Sequence, residues 1–153
     1  MYLLDTNHCT FIFIQKDLSV LNHLMNLPED SEIFINSIIY GELILMAEKS
    51  ERRAENLNNV EEFVQAFTEF IYPIDKETSK IYGQLYANVL NFFAPKDKAK
   101  RRKFKIEDAG VRQNDLWIAC TAIQHNLTIV SEDSDFQIIS QARQLNVECW
   151  KTT

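Results

Sequence analysis

The sequence predicts an α/β domain: a central, mainly parallel sheet of four to five short strands with helices on both faces. Short apolar runs rich in strand-forming residues alternate with longer segments of helical spacing, the signature of βα units. The first run, Met1-Tyr2-Leu3-Leu4, leads straight into Asp5-Thr6-Asn7, as a short buried strand ending in a loop would. With 153 residues and 46% hydrophobic composition, the chain fits one domain, 1–153, able to bury a sizeable core.

The elements follow in order. Residues 8–15 (HCTFIFIQ) continue as an apolar helical segment. Asp17 is placed to cap a helix to about Asn26, with Val20, Leu21, Leu24 and Leu27 on one face. After the turn cluster 28–31 (PEDS), Glu32–Asn36 (EIFIN) reads as a second strand. Ser37 opens the helix SIIYGELILMAEKS, which Ile38 and Leu45 are expected to pack into the core, with Glu42 inside the greasy stretch. Residues 51–70 read as a helix that is apolar through Val60, Phe63, Val64 and Phe67. The run 71–74 (IYPI) is a short strand or extended link, and its proline suggests a sheet edge. Asp75 caps a helix to about Phe93, with Ile81, Leu85, Val89 and Phe92 at core spacing. Residues 111–125 (VRQNDLWIACTAIQH) form the next helix, and Asn126 ends it as a C-cap. Leu127–Val130 is the clearest strand. A short helix (FQIISQARQ) and a last strand, Val147–Trp150, complete the chain.

Several function classes are excluded. No run approaches the roughly 18 apolar residues of a membrane span, and no leader pattern opens the chain. Cys9, Cys120 and Cys149 are odd in number and lack C-x-x-C spacing, against a disulfide framework or a cysteine-ligated zinc. A cytoplasmic protein is expected. The net charge of −6 is uneven: residues 96–105 (KDKAKRRKFK) hold seven of the 16 Lys/Arg and one of the 22 acids. This block, within an insertion or loop at about 94–108, is either a solvated segment or a site for a polyanion, with Lys100, Arg101, Arg102 and Lys103 at its centre.

In an open parallel sheet, ligands gather outside the carboxyl ends of the strands. Asp5 follows the first strand, Asp133 follows Leu127–Val130, and Glu42 lies near the start of a helix leaving the second strand. Asp115 lies early in the 111–125 helix, and its reach into the same cleft depends on packing. Each has an alternative role: Asp5 and Asp133 as helix caps, Glu42 on a solvent face, Asp115 as a first-turn acid favoured by the helix dipole. Converging carboxylates raise one another's pKa unless a cation neutralises them. An oxygen-rich set without His or Cys suits Mg²⁺ or Mn²⁺, ions that support phosphodiester hydrolysis. Thr6, Asn7, Asn114 and Ser131 flank the acids and are candidates to orient them. His8, His23 and His125 have no ligand spacing and are expected as packing or surface residues. Trp117 and Trp150 are expected as core or dimer contacts.

Four segments, Leu3-Leu4-Asp5-Thr6-Asn7, Ile38-Ile39-Tyr40-Gly41-Glu42-Leu43, Asn114-Asp115-Leu116-Trp117-Ile118-Ala119 and Ser131-Glu132-Asp133-Ser134-Asp135-Phe136, resemble in order the motifs of PIN-domain ribonucleases. The likeness is greatest to the VapC-type toxins of bacterial toxin–antitoxin pairs. It implies a three-layer α/β/α fold and an endoribonuclease whose catalytic, metal-binding acids are Asp5, Glu42, Asp115 and Asp133. It further implies Mg²⁺ or Mn²⁺ dependence, an RNA substrate, homodimers and an antitoxin that blocks the site. Ser131 stands where the family has a Thr or Ser that orders the site, and Asp135 matches a less regular acidic position. The basic 94–108 segment departs from the compact family pattern. A non-catalytic RNA-binding module on the same scaffold is the alternative, against which the four intact acids count. Aspartyl-phosphate chemistry is disfavoured, because Asn7 replaces the second Asp of Asp-x-Asp-x-Thr.

Overall fold

A computed structural model describes residues 1–153. Five strands, β1 (Tyr2–Leu4), β2 (Ile33–Asn36), β3 (Phe70–Tyr72), β4 (Thr128–Val130) and β5 (Val147–Glu148), form one sheet. Their order is β3-β2-β1-β4-β5, and every pairing is parallel. Eight helices cover the two faces: α1 (Thr6–Phe13), α2 (Leu18–Met25), α3 (Ser37–Glu48), α4 (Arg53–Phe67), α5 (Lys76–Phe93), α6 (Lys98–Lys103), α7 (Gln113–His125) and α8 (Ser134–Ala142). The result is the expected three-layer α/β/α arrangement, with the proline-flanked β3 at one edge.

Strand β1 is central because its side chains are apolar on both faces; Leu3 and Leu4 are fully buried. The chain builds outward from β1 through β2 to β3, then returns to the other side of β1 with β4 and β5. Strand order therefore reverses between β1 and β4, and the crevice of a doubly wound sheet opens at such a point. Leu4 lies level with Val130, and the Asp5 amide donates to the Val130 carbonyl at 3.1 Å. Asp5 and Ser131 thus leave the sheet side by side. Buried Asn36 ends β2, caps α3 through the Ile39 amide (2.9 Å) and donates to Thr121 Oγ1 of α7 (2.9 Å). That bond fixes α3 against α7, the two helices that bear Glu42 and Asp115.

Three residues expected in the core are exposed: Leu45, Phe67 and Phe92. The buried line of α3 runs through Ile39, Leu43 and Ala47, spaced by four, and Leu45 lies off it. In α5 the buried line is Thr78, Leu85 and Val89; its continuation falls on half-buried Phe93, one residue beyond Phe92. Phe67, at the end of α4, stacks on the ring of Phe63, with centroids 5.5 Å apart, and stays exposed on its other side. Trp150 is buried in the core, and half-buried Trp117 stacks on Tyr82 at 3.9 Å.

The basic segment is not an irregular loop. Asp97 caps α6 through the Lys100 amide (3.0 Å), and the Arg101 guanidinium ties back to the Ala94 and Pro95 carbonyls (3.2 and 3.3 Å). A 3-10 turn, Ile106–Ala109, then buries Ile106 completely. Gly110 follows at φ +92°, where a Cβ would stand 3.1 Å from Ile138 Cδ1. Gly110→Ala should therefore cost about 1–2 kcal/mol of stability, seen as a lower denaturation midpoint at unchanged slope.

Candidate active site

Asp5 and Asp133 do cap helices, and they also line the cleft. Asp5 Oδ1 accepts the His8 amide (2.7 Å) at the start of α1, and Asp133 Oδ1 accepts the Asp135 amide (3.0 Å) at the start of α8. Capping uses one oxygen of each carboxylate and fixes the direction of the other. The strand-end acids are aimed by the helices they start.

Glu42 comes from α3 and Asp115 from the first turn of α7. Together with Asp5 and Asp133 they line one cleft of about 210 Å³, with Thr6, Asn7 and Arg112 beside them. The topological placement of Asp115 that depended on packing is thus resolved in favour of the cleft. The tightest group is not those four, however. Asp115, Asp133 and Asp135 each offer an oxygen within 4.8 Å of the others. Asp135, expected only as a supporting residue, is buried behind the cleft.

Three of the four flanking polar residues, Thr6, Asn114 and Ser131, brace an acid from a different segment. Thr6, next to Asp5, donates its hydroxyl to Glu42 Oε2. Asn114, next to Asp115, donates to Glu42 Oε1 at 2.8 Å. Ser131 donates to Asp5 Oδ2 and accepts the Asp133 amide at 2.9 Å, so one hydroxyl links the two strand-end acids. Asn7 lines the rim, and its carbonyl accepts from Thr10 Oγ1 at 2.8 Å.

Two contributors escaped the sequence reading. His8 is buried, and its Nε2 accepts the Trp150 amide at 3.4 Å. Nδ1 therefore carries the proton and donates to Asp5 Oδ1 at 3.1 Å. Arg112 reaches the whole acidic group: Nη2 donates to Asp115 Oδ2 (2.8 Å) and to Asp133 Oδ2, and Nε donates to Asp135 Oδ2 (3.2 Å). The only signals in the sequence were three-residue spacings, His8 after Asp5 and Arg112 before Asp115.

The electrostatics follow from burial and from this crowding. Burial pushes the Asp115 carboxyl up to about 8, helped by the adjacent Asp135 and Asp133 and opposed by Arg112. Burial acts in the same sense on Asp135, but hydrogen bonds led by the Arg112 amide hold it below the ordinary carboxylate value. Lys100, Arg101, Arg102 and Lys103 are exposed on α6 and line neither the acidic cleft nor the cleft next to it.

A family model described as "PIN domain" matches residues 2–141. The chain belongs to the PIN-domain family. Among curated relatives, the Rickettsia felis protein named Ribonuclease VapC2 is 27% identical over 135 residues, covering 87% of each chain. Among solved structures, this PIN domain resembles a chain of Rickettsia felis VapBC2 bound to a promoter DNA fragment, with TM-score 0.78 and 25% identity over 98% of both chains. A chain of DNA-bound VapBC from Salmonella typhimurium matches with TM-score 0.75 and 25% identity, again over 98% of both chains. No helix is long and apolar enough to cross a membrane.

Proposed function

We propose that this PIN domain is a divalent-metal-dependent endoribonuclease and the toxin of a type II toxin–antitoxin pair. The observation that carries the reading is the convergence of Asp5, Glu42, Asp115 and Asp133 on one cleft, with Asp135 behind them. The relatives named as VapC ribonucleases and the VapBC assemblies support the toxin role and an antitoxin partner. The homodimer implied by the sequence resemblance belongs to the same proposal. Intact, cross-braced acids offer no support to a purely RNA-binding role.

The site suits a hard divalent cation on its own chemistry. Its charged donors are all carboxylate oxygens, and burial, helped by their crowding, drives Asp115 toward its protonated form. A guanidinium already lies among three of them, so a cation fits there both in charge and in space. Asp5, Asp115 and Asp133, completed by Glu42, would hold Mg²⁺ or Mn²⁺. Such an ion supplies charge neutralisation at a phosphodiester and makes water a stronger nucleophile at neutral pH. The protein's part is preorganisation. Ser131 and His8 hold Asp5, Thr6 and Asn114 hold both oxygens of Glu42, and the Arg112 amide holds Asp135.

Within a single domain spanning 1–153, the basic α6 would grip the RNA backbone away from the chemical centre. Neutralising Lys100, Arg102 and Lys103 together should weaken RNA binding and flatten its salt dependence by about two to three units of log–log slope. Arg101 is left intact because it ties α6 to the end of α5. An unchanged salt slope would remove α6 from the RNA interface. The reading as a whole is tested with purified protein free of antitoxin. Cellular RNA should be cleaved with Mn²⁺ or Mg²⁺ and left intact with a chelator; absence of cleavage under both conditions would refute it.

A further inference from the structure

We propose that Arg112 is a built-in counter-ion that occupies the acidic cleft and must be displaced before a divalent ion is bound. The inference rests on reading that cleft as a divalent-ion site, and it assigns a role to a residue which that reading does not require.

The contacts of Arg112 coincide with the tightest acidic group. Its guanidinium reaches Asp115, Asp133 and Asp135, the same three residues whose oxygens lie within 4.8 Å of one another. One planar fork satisfies all three, which a lysine ammonium would do less well. An incoming cation meets two obstacles there: the oxygens it needs are already hydrogen-bonded, and a positive charge stands between them.

The same geometry lets the guanidinium leave. Its side chain is 66% exposed, whereas those of its three partners are 10%, 20% and 9% exposed. Arg112 also forms the wall shared by the acidic cleft and an adjoining one of about 280 Å³, lined with Gln113 and Asn114. A rotation of its side chain toward Gln113 and Asn114 would carry the charge away from Asp133 and Asp135 without a change of fold. The residue's structural task is carried separately, because its backbone amide donates to Asp135 Oδ2 at 2.8 Å. That bond survives loss of the side chain, so the start of α7 and Asp135 keep a tie that the guanidinium does not supply.

Arg112 therefore sets the threshold of metal concentration at which the site is loaded. Solvent screening of so exposed a side chain limits the effect to about tenfold in affinity.

The test uses Mn²⁺ alone, titrated into the purified chain free of antitoxin and followed by calorimetry or by the resonance signal of free Mn²⁺. Arg112→Ala is expected to bind Mn²⁺ about tenfold more tightly than the unchanged protein, and Arg112→Lys to fall between them. Arg112→Gln keeps the stem and loses the charge, and it gives the same comparison if alanine disturbs the fold. Equal or weaker Mn²⁺ binding by the charge-free variants would overturn the proposal. Uptake by those variants but not by the unchanged protein would support it in its strongest form. If none of the proteins binds Mn²⁺, the metal-site reading falls and the proposal with it; that outcome is distinct from equal affinities, which would remove only the role of Arg112.

Discussion

Asp115→Asn is expected to lower RNA cleavage by about 100-fold or more while leaving the fold intact. Asparagine keeps the shape of the side chain and most of its hydrogen-bonding capacity. What it removes is the negative charge that, with Asp5 and Asp133, would hold the divalent ion. Asp115 is buried, and neighbouring carboxylates help to push its own carboxyl up to about 8. Loss of that charge relieves like-charge repulsion in the folded state, so the melting temperature should stay level or rise. A variant that is both stable and inactive separates a functional acid from a structural one. RNA binding through α6 should persist in it, measured as retained affinity for an uncleaved strand. Undiminished cleavage would show that Asp115 serves only the electrostatics of the first turn of α7.

Ser131→Ala should cost about 10–100-fold in metal affinity or in activity, although no metal contact is assigned to this residue. Its hydroxyl links the Asp133 amide to Asp5 Oδ2, and so holds the ends of β1 and β4 in a fixed relation. Removing it leaves a buried Asp5 oxygen without its donor, at a cost of about 1–3 kcal/mol in stability. Asp5 keeps its second hold, through the amide and ring of His8, and the chain should therefore still fold. Ser131→Thr restores the hydroxyl and should recover most of the lost function. An alanine variant with undiminished metal affinity and activity would show that this hydroxyl does not hold the site.

How far the site could be read from the sequence depended on how each residue is positioned. Asp5 and Asp133 were legible because each follows an apolar strand, and strand ends of a parallel sheet converge by topology alone. The capping and site readings of these two acids were posed as alternatives, yet they are compatible: one oxygen of each carboxylate caps a helix, and the other bonds Ser131 in Asp5 and Arg112 in Asp133. Glu42 was legible as an acid within an apolar helix, but its direction is set by Thr6 and Asn114 from two other segments. Arg112 and His8 were missed for a physical reason. A three-residue spacing shows that two side chains can meet, whereas the meeting depends on rotamers fixed by distant packing, such as Trp150 beneath His8. The same limit explains the exposed Leu45 and Phe92: periodicity locates an apolar stripe to within about one residue, and the neighbouring helix decides which edge of it is covered. The helix within the basic insertion or loop was not legible because α6 is only six residues long; what holds it is Asp97, Arg101 and the buried Ile106 rather than helical periodicity.

On the proposed function, acids from four segments of the chain form one divalent-ion site. Anomalous diffraction from crystals soaked in Mn²⁺ tests it most directly, because it locates the ion without reference to activity. Anomalous density is expected in the cleft between Asp5, Asp115 and Asp133, with the Arg112 guanidinium withdrawn from those acids, and that density should be lost in Asp115→Asn. Density confined to other surface acids, or none at a Mn²⁺ concentration that supports RNA cleavage, would contradict it.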